Sequence, residues 1–331
     1  MSKYTLQPYF SYASYFKNFY KSIRSNDILY KNGRTSLFEA IISLKAEYKC
    51  EKILIPSFIC NDIIPAIDES GIEYDYYLIK DDLTIDFRSL ESKIIPNKTI
   101  VMGVNYFGFP ADWVSINKLK DKYKLLTIED NTHDHQTLGC YGDISFNSLR
   151  KVLPLLSGSV LKKNNLKVKI NHNKKYQFPS FGELLYSIRW LSFLKKSIGL
   201  NTKNNDLVYD KKNIFMDYIS AIIYCNSNYS IHSNSSKRLI NYQKWEVYLK
   251  EKGLIFFDNL PDKEGLSPYG FPCIAKNREA VKYWLDWGSK NNITVINWPN
   301  FPNNDKYHNN KSILRNVLLF PVNHTAILKL Q

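Results

Sequence analysis

The chain has 331 residues, 44% hydrophobic and 23% charged, a balance that supports a buried core and argues against a disordered chain. No apolar run approaches the roughly 20 residues that cross a bilayer, and the N-terminal Met1 to Phe10 lacks the unbroken apolar core of a secretory signal. The formal net charge is +14, but the lysines are spread out and accompany abundant Asn, Ile and Tyr, which points to compositional bias, so neither nucleic acid nor a membrane is an expected partner.

The elements alternate through the first half of the chain. Leu37, Ile41, Ile42 and Leu44 keep a helical spacing and predict a helix over 35–48, with a turn at Gly33 and a cap from Thr35 or Ser36. Ile53-Leu54-Ile55 reads as a short buried strand closed by Pro56-Ser57, and Asn61 to Ser70 as a helix ended by Gly71. Strands follow at Tyr74–Ile79 and Thr99–Val104, the latter leading into the turn Phe107-Gly108-Phe109-Pro110. A helix over 115–124 and a strand at Leu125–Ile128 complete the series.

Strands separated by helices of this length predict an α/β fold, a mostly parallel sheet sandwiched by helices. Such sheets bind ligands beyond the carboxyl ends of their strands, so Pro56, Gly108 and Asp130 are expected to converge on one site. After Val160 the rhythm fades. Lys162–Lys175 reads as a basic loop or a solvated hairpin, Glu183–Ile198 as an aromatic helix, and Asp217–Lys252 as a long helical stretch broken near Asn226-Ser227-Asn228. Phe271–Ala275 (strand), Arg278–Asn291 (helix) and Ile293–Ile296 (strand) suggest a smaller α+β unit. The expected division is a large α/β domain over 1–230 and a small C-terminal α+β domain over 231–331. The cysteines at 50, 60, 140, 225 and 273 are scattered and odd in number, with no CxxC, so free thiols and a cytoplasmic location are expected.

The most informative stretch is Leu125-Leu126-Thr127-Ile128-Glu129-Asp130-Asn131-Thr132-His133, followed by Ser148-Leu149-Arg150-Lys151. The first places an acid at the tip of a buried strand. Val152, Leu153, Leu155 and Leu156 surround Lys151, and Arg150 adds a neighbouring cation; both effects disfavour the ammonium and favour a nucleophilic amine. Ser148 lies near the same pocket as a hydroxyl for phosphate, with Arg150 competing for that role. Gly33-Arg34-Thr35-Ser36 opens a helix, where exposed amides bind anions, although ordinary capping explains the same residues. An aspartate, a lysine and a phosphate-binding hydroxyl are the requirements for holding pyridoxal 5′-phosphate. For Asp130 the plainer reading is a helix cap or a solvated loop acid, and for His133 a structural histidine; no further ligand pattern turns His133-Asp134-His135 into a metal site.

Together these residues resemble the DegT/DnrJ-type sugar aminotransferases, enzymes of the pyridoxal-phosphate fold type I. The segments that carry the resemblance are Gly33-Arg34-Thr35-Ser36-Leu37, Ile55-Pro56-Ser57-Phe58-Ile59-Cys60, Asn105-Tyr106-Phe107-Gly108-Phe109-Pro110-Ala111-Asp112, Ile128 to His133 and Gly142-Asp143-Ile144-Ser145-Phe146. It is clear over about residues 30–160 and weaker beyond, where Ser220-Ala221 and Trp298-Pro299 fall at similar positions.

The resemblance implies that Lys151 forms the Schiff base and that Asp130 pairs with the pyridine nitrogen. By the same resemblance His133 lies near the cofactor's O3′, Arg34, Thr35 and Ser148 bind its phosphate, and Cys60 replaces a ring-stacking aromatic. Asn213 matches an asparagine lent by the partner of a homodimer. Implied with these are a nucleotide-linked keto-sugar substrate, an amino donor such as glutamate, and a role in surface polysaccharide or amino-sugar synthesis. Alignment counted from Ser145-Phe146 puts Arg150 at the lysine position, and a slip of one residue restores Lys151, the reading adopted. The alternative is a non-catalytic relative acting as a binding or scaffold subunit.

Overall fold

The computed structural model describes residues 4–8, 16–17, 22–23, 27–134, 140–164, 166–170, 176–179, 214–226, 231–260, 265–302, 312–328 and 330. One sheet has the strand order β1-β7-β6-β5-β4-β2-β3. Its strands are β1 (Ile28–Tyr30), β2 (Lys52–Pro56), β3 (Glu73–Tyr77), β4 (Thr99–Val104), β5 (Leu126–Asn131), β6 (Ile144–Asn147) and β7 (Ser159–Lys163). Strands β3, β2, β4, β5 and β6 run parallel, while β7 pairs antiparallel with both β6 and β1. The parallel core follows from runs such as Thr99-Ile100-Val101-Met102-Gly103-Val104, buried along their whole length as strands covered on both faces must be.

Helices α1 (Gly33–Tyr48), α2 (Ile64–Ser70), α3 (Phe87–Glu91) and α4 (Trp113–Tyr123) connect these strands, and the single turn α5 (Leu149–Val152) joins β6 to β7. Helix α1 begins earlier than its spacing predicts. The cap is Asn32 rather than Thr35 or Ser36, because the Asn32 Oδ1 accepts from the Thr35 amide at 3.0 Å. Asp112 caps α4 in the same way, accepting from the Ser115 amide at 3.0 Å.

The predicted long helical stretch contains α6 (Tyr218–Asn226) and α7 (Ile231–Leu249), and residues 227–230 between them, where the break is expected, lie outside the described residues. A second, antiparallel sheet has the order β10-β11-β9-β8, formed by β8 (Ile255–Phe256), β9 (Gly270–Ile274), β10 (Ile296–Asn297) and β11 (Val317–Pro321), with α8 (Arg278–Lys290) beside it. The strand expected over 293–296 shrinks to β10. The Ile293 amide donates to the Gly288 carbonyl at 2.8 Å and the Thr294 amide to the Tyr4 carbonyl at 2.8 Å, so neither enters the ladder. The helix expected over 183–198 lies outside the described residues.

Candidate active site

The strand ends build a cavity of about 310 Å³ between the two sheets. The first sheet and its connections contribute Cys60, Val104, Asp130, Phe146 and Ser148, and the second contributes Tyr269, Asn297 and Trp298. Of the residues expected to converge at strand ends, Asp130 is there. Pro56 and Gly108 are not on the cavity wall; Gly108 instead lets the chain after β4 pack on the second sheet. Its φ is +92°, and a Cβ added there would meet the Ser267 carbonyl at 2.9 Å.

The two acids of β5 point to opposite faces, as alternation along a strand requires. Glu129 is structural. Its Oε1 accepts from Asn105 Nδ2 at 2.9 Å, and its Oε2 accepts from the Tyr141 and Gly142 amides at 2.7 and 3.1 Å. Asn105 in turn accepts from the Ala111 amide and the Trp113 indole, each at 2.9 Å. The Asn105 to Asp112 block is therefore scaffolding, a knot that fixes the turn after β4. Asp143 is scaffolding too, its carboxylate accepting from the Thr127 amide at 2.9 Å. Asp130 is the acid that faces the cavity; it is 3% exposed, and its Oδ1 accepts a local bond from the Thr132 amide at 2.8 Å. Burial raises its carboxyl above the usual range, and Lys151 pulls the other way.

Lys151 and Arg150 both line the cavity, but they are not equivalent. Asp130, Cys60 and His133 all interact electrostatically with the Lys151 amine. Burial pulls the Lys151 amine below the ordinary lysine value, Asp130 opposes this, and Arg150 adds to the lowering. The segment after Lys151 is pinned from α6: the Ser220 hydroxyl accepts from the Leu156 and Ser157 amides at 3.0 and 3.2 Å, and Asp217 bonds the Ser157 hydroxyl. Ser148 precedes α5 and lines the cavity. Cys60 lines it as well, its thiol pushed up by burial first and by Asp62 second.

Gly33 and Arg34, in the first turn of α1, form part of the wall. First-turn amides have no partner within their own helix, so this end can receive an anion. Thr35 does not reach the cavity. Its amide and hydroxyl both turn to Asn32 Oδ1, at 3.0 and 3.2 Å. Asn213 and His135 lie outside the described residues.

His133 lines the cavity with its Nδ1 accepting from the Phe107 amide at 3.3 Å, so the ring proton of the neutral form sits on Nε2. Burial holds this imidazole well below its ordinary pKa, and it is neutral at pH 7. It stacks on Tyr269 at 4.6 Å and 4° and on Phe107 at 5.8 Å and 8°, while Trp298 meets it edge-on at 5.3 Å. Tyr269, Asn32, Gln7 and Asp62 line the site without having been expected there. Asn32 was recoverable as the residue before a helix-opening Gly. Tyr269 carries no local signal, because its place depends on how the second sheet docks.

The residues present suit pyridoxal phosphate: an acid and an amine with electrostatic contact across the cavity, and a helix start with a nearby hydroxyl and guanidinium. The architecture is that of the fold-type-I pyridoxal-phosphate enzymes. Residues 31–146 match the model of the DegT/DnrJ/EryC1/StrS aminotransferase family, so the resemblance read from the motifs is borne out over that stretch.

Among solved structures, Helicobacter pylori PseC, an aminotransferase involved in the biosynthesis of pseudoaminic acid, is 14% identical with a TM-score of 0.68, the alignment covering 98% of this chain and 95% of that one. The E. coli GDP-4-keto-6-deoxy-D-mannose-3-dehydratase with bound hydrated PLP gives 15%, 0.68, 98% and 96%. Bacillus subtilis NtdA with bound cofactor PMP gives 19%, 0.62, 96% and 74%. No curated protein matches the chain by sequence.

Proposed function

We propose that the chain is a pyridoxal-phosphate-dependent aminotransferase that moves an amino group, with glutamate as donor, onto a keto sugar carried on a nucleotide. The observation that carries this reading is the Lys151 amine facing buried Asp130 in a cavity at the carboxyl ends of the sheet. When bound, the cofactor supplies an electron-withdrawing ring that stabilises charge developing on the substrate carbon. Lys151 would hold the cofactor through its amine, and the same amine would carry a proton to and from the substrate carbon. Asp130 pairs with the ring nitrogen and keeps it protonated. Arg34, Ser148 and the first-turn amides of α1 receive the phosphate. The Nε2–H of His133 is a donor for the ring oxygen.

PseC and the E. coli dehydratase support a sugar substrate by what their descriptions say of them, and the +14 charge favours an anionic one. A homodimer in the cytoplasm, with Asn213 lent across the interface, and a role in surface polysaccharide or amino-sugar synthesis complete the reading.

The test is the visible absorbance of the purified protein mixed with pyridoxal phosphate. The wild type and Arg150→Ala are expected to show a band above 400 nm, and Lys151→Ala none. A colourless wild type sinks the enzyme reading in favour of a binding or scaffold subunit. A band lost in Arg150→Ala and kept in Lys151→Ala moves the anchor by one residue.

A further inference from the structure

The Lys151 amine has an aromatic neighbour in the cavity wall that belongs to neither the strand-end acids nor the helix start. Tyr269 immediately precedes β9 in the second sheet, and Lys151 Nζ lies over its ring, 5.9 Å from the centroid. The ring is fixed from several directions. The Tyr269 amide donates to the Phe107 carbonyl at 2.7 Å, and His133 stacks on the ring at 4.6 Å. Arg238, fully buried on α7, donates from Nη1 to the Pro268 carbonyl at 3.1 Å, fixing the residue just before it. The Tyr269 hydroxyl bonds the Gln7 side chain. Phe107 takes a left-handed φ of 58°, which turns its amide to His133 and its carbonyl to Tyr269. So many constraints on one ring, at a spot where the backbone is strained, are what a positioning role needs.

We propose that Tyr269 is a positioning residue for Lys151: its ring, held from the second sheet, offers the lysine ammonium a π face and seats the amine in the cavity. A ring face attracts a cation by its quadrupole, most strongly where water is scarce. Tyr269 therefore favours the ammonium, against the burial that disfavours it. Among the described residues, the other charged or titratable groups that act on the amine are Asp130 from β5, Cys60 and Asp62 from the segment after β2, neighbouring Arg150, and His133. Each of these is left intact in the test. The proposal rests on the reading of Lys151 as the reacting amine, but its readout needs no cofactor.

Competitive labelling with acetic anhydride between pH 7 and 11 follows the titration of Lys151 in the full chain, read by mass spectrometry of its peptide. Tyr269→Phe keeps the ring and is expected to keep the wild-type midpoint. Tyr269→Leu removes it and is expected to lower the midpoint by roughly half a pH unit. Should the leucine variant fail to fold by circular dichroism, Tyr269→Met fills the same space without a ring and carries the same expectation. An unchanged midpoint in the ringless variant, or a fall in Tyr269→Phe as large as without the ring, overturns the proposal. A wild type that gives no visible band with pyridoxal phosphate overturns the proposed function instead, and leaves a labelling shift standing.

Discussion

Single side chains divide the site's work by burial and direction. Asp130 and Glu129 are adjacent, yet one faces the cavity and the other is consumed by the Asn105 knot. Asp130→Asn keeps the shape and removes the charge, and is expected to weaken retention of pyridoxal phosphate by roughly 10- to 100-fold, the worth of one charged hydrogen bond, measured by equilibrium dialysis. His133 ties stability to pH. Its folded pKa lies well below its unfolded value, so beneath about pH 6.5 the unfolded chain binds a proton that the folded one refuses. Stability therefore falls as pH drops from 6.5 toward 5, by up to roughly 1.4 kcal/mol per unit for this group. His133→Gln should flatten that part of the profile of Tm against pH.

The elements show what sequence pattern conveys and what it hides. Parallel strands β2, β4 and β5 were legible because strands buried on both faces read as apolar runs bounded by turn residues. The block from Asn105 to Asp112 was legible as a motif, but its work was not: the structure makes it a hydrogen-bonding hub and a helix cap. Asn105→Ala leaves the Ala111 amide, the Trp113 indole and one oxygen of Glu129 without their partner. A loss of at least about 3 kcal/mol in urea unfolding is expected, with no change in the residues that touch the cavity. Strands β1 and β7 escaped notice because both are short and carry no period. The cap of α1 was misplaced because Thr35, Ser36 and Asn32 are all residues that cap helices, and only the fold shows that the first turn opens at Asn32.

Across the whole molecule, the site is a joint product of the two sheets. Residues around Asp130 and Lys151 could be found from the chain alone, since they sit at ends of local strand and turn patterns. Tyr269 and Trp298 could not, since their role follows from long-range docking. One consequence is thermodynamic: a ligand touching both walls ties the melting of the two sheets together. Pyridoxal phosphate at 100 times its Kd should add about 2.7 kcal/mol to unfolding and be seen as a single raised transition in calorimetry. A second, separate transition left unmoved would show that the ligand engages one sheet alone.

Strand β1 comes last in the order of the large sheet, where it pairs with β7, Ile28 opposite Leu161, while Tyr30 also bridges Phe215 from the segment before α6. On the ribosome that pairing waits until more than a hundred further residues have been made, on the order of ten seconds at ordinary elongation rates. Throughout that interval Ile28-Leu29-Tyr30 is a bare apolar segment with unpaired amides, the kind that seeks other chains. Slow codons or scarce chaperone before residue 163 should thus cost more yield than the same delay after it.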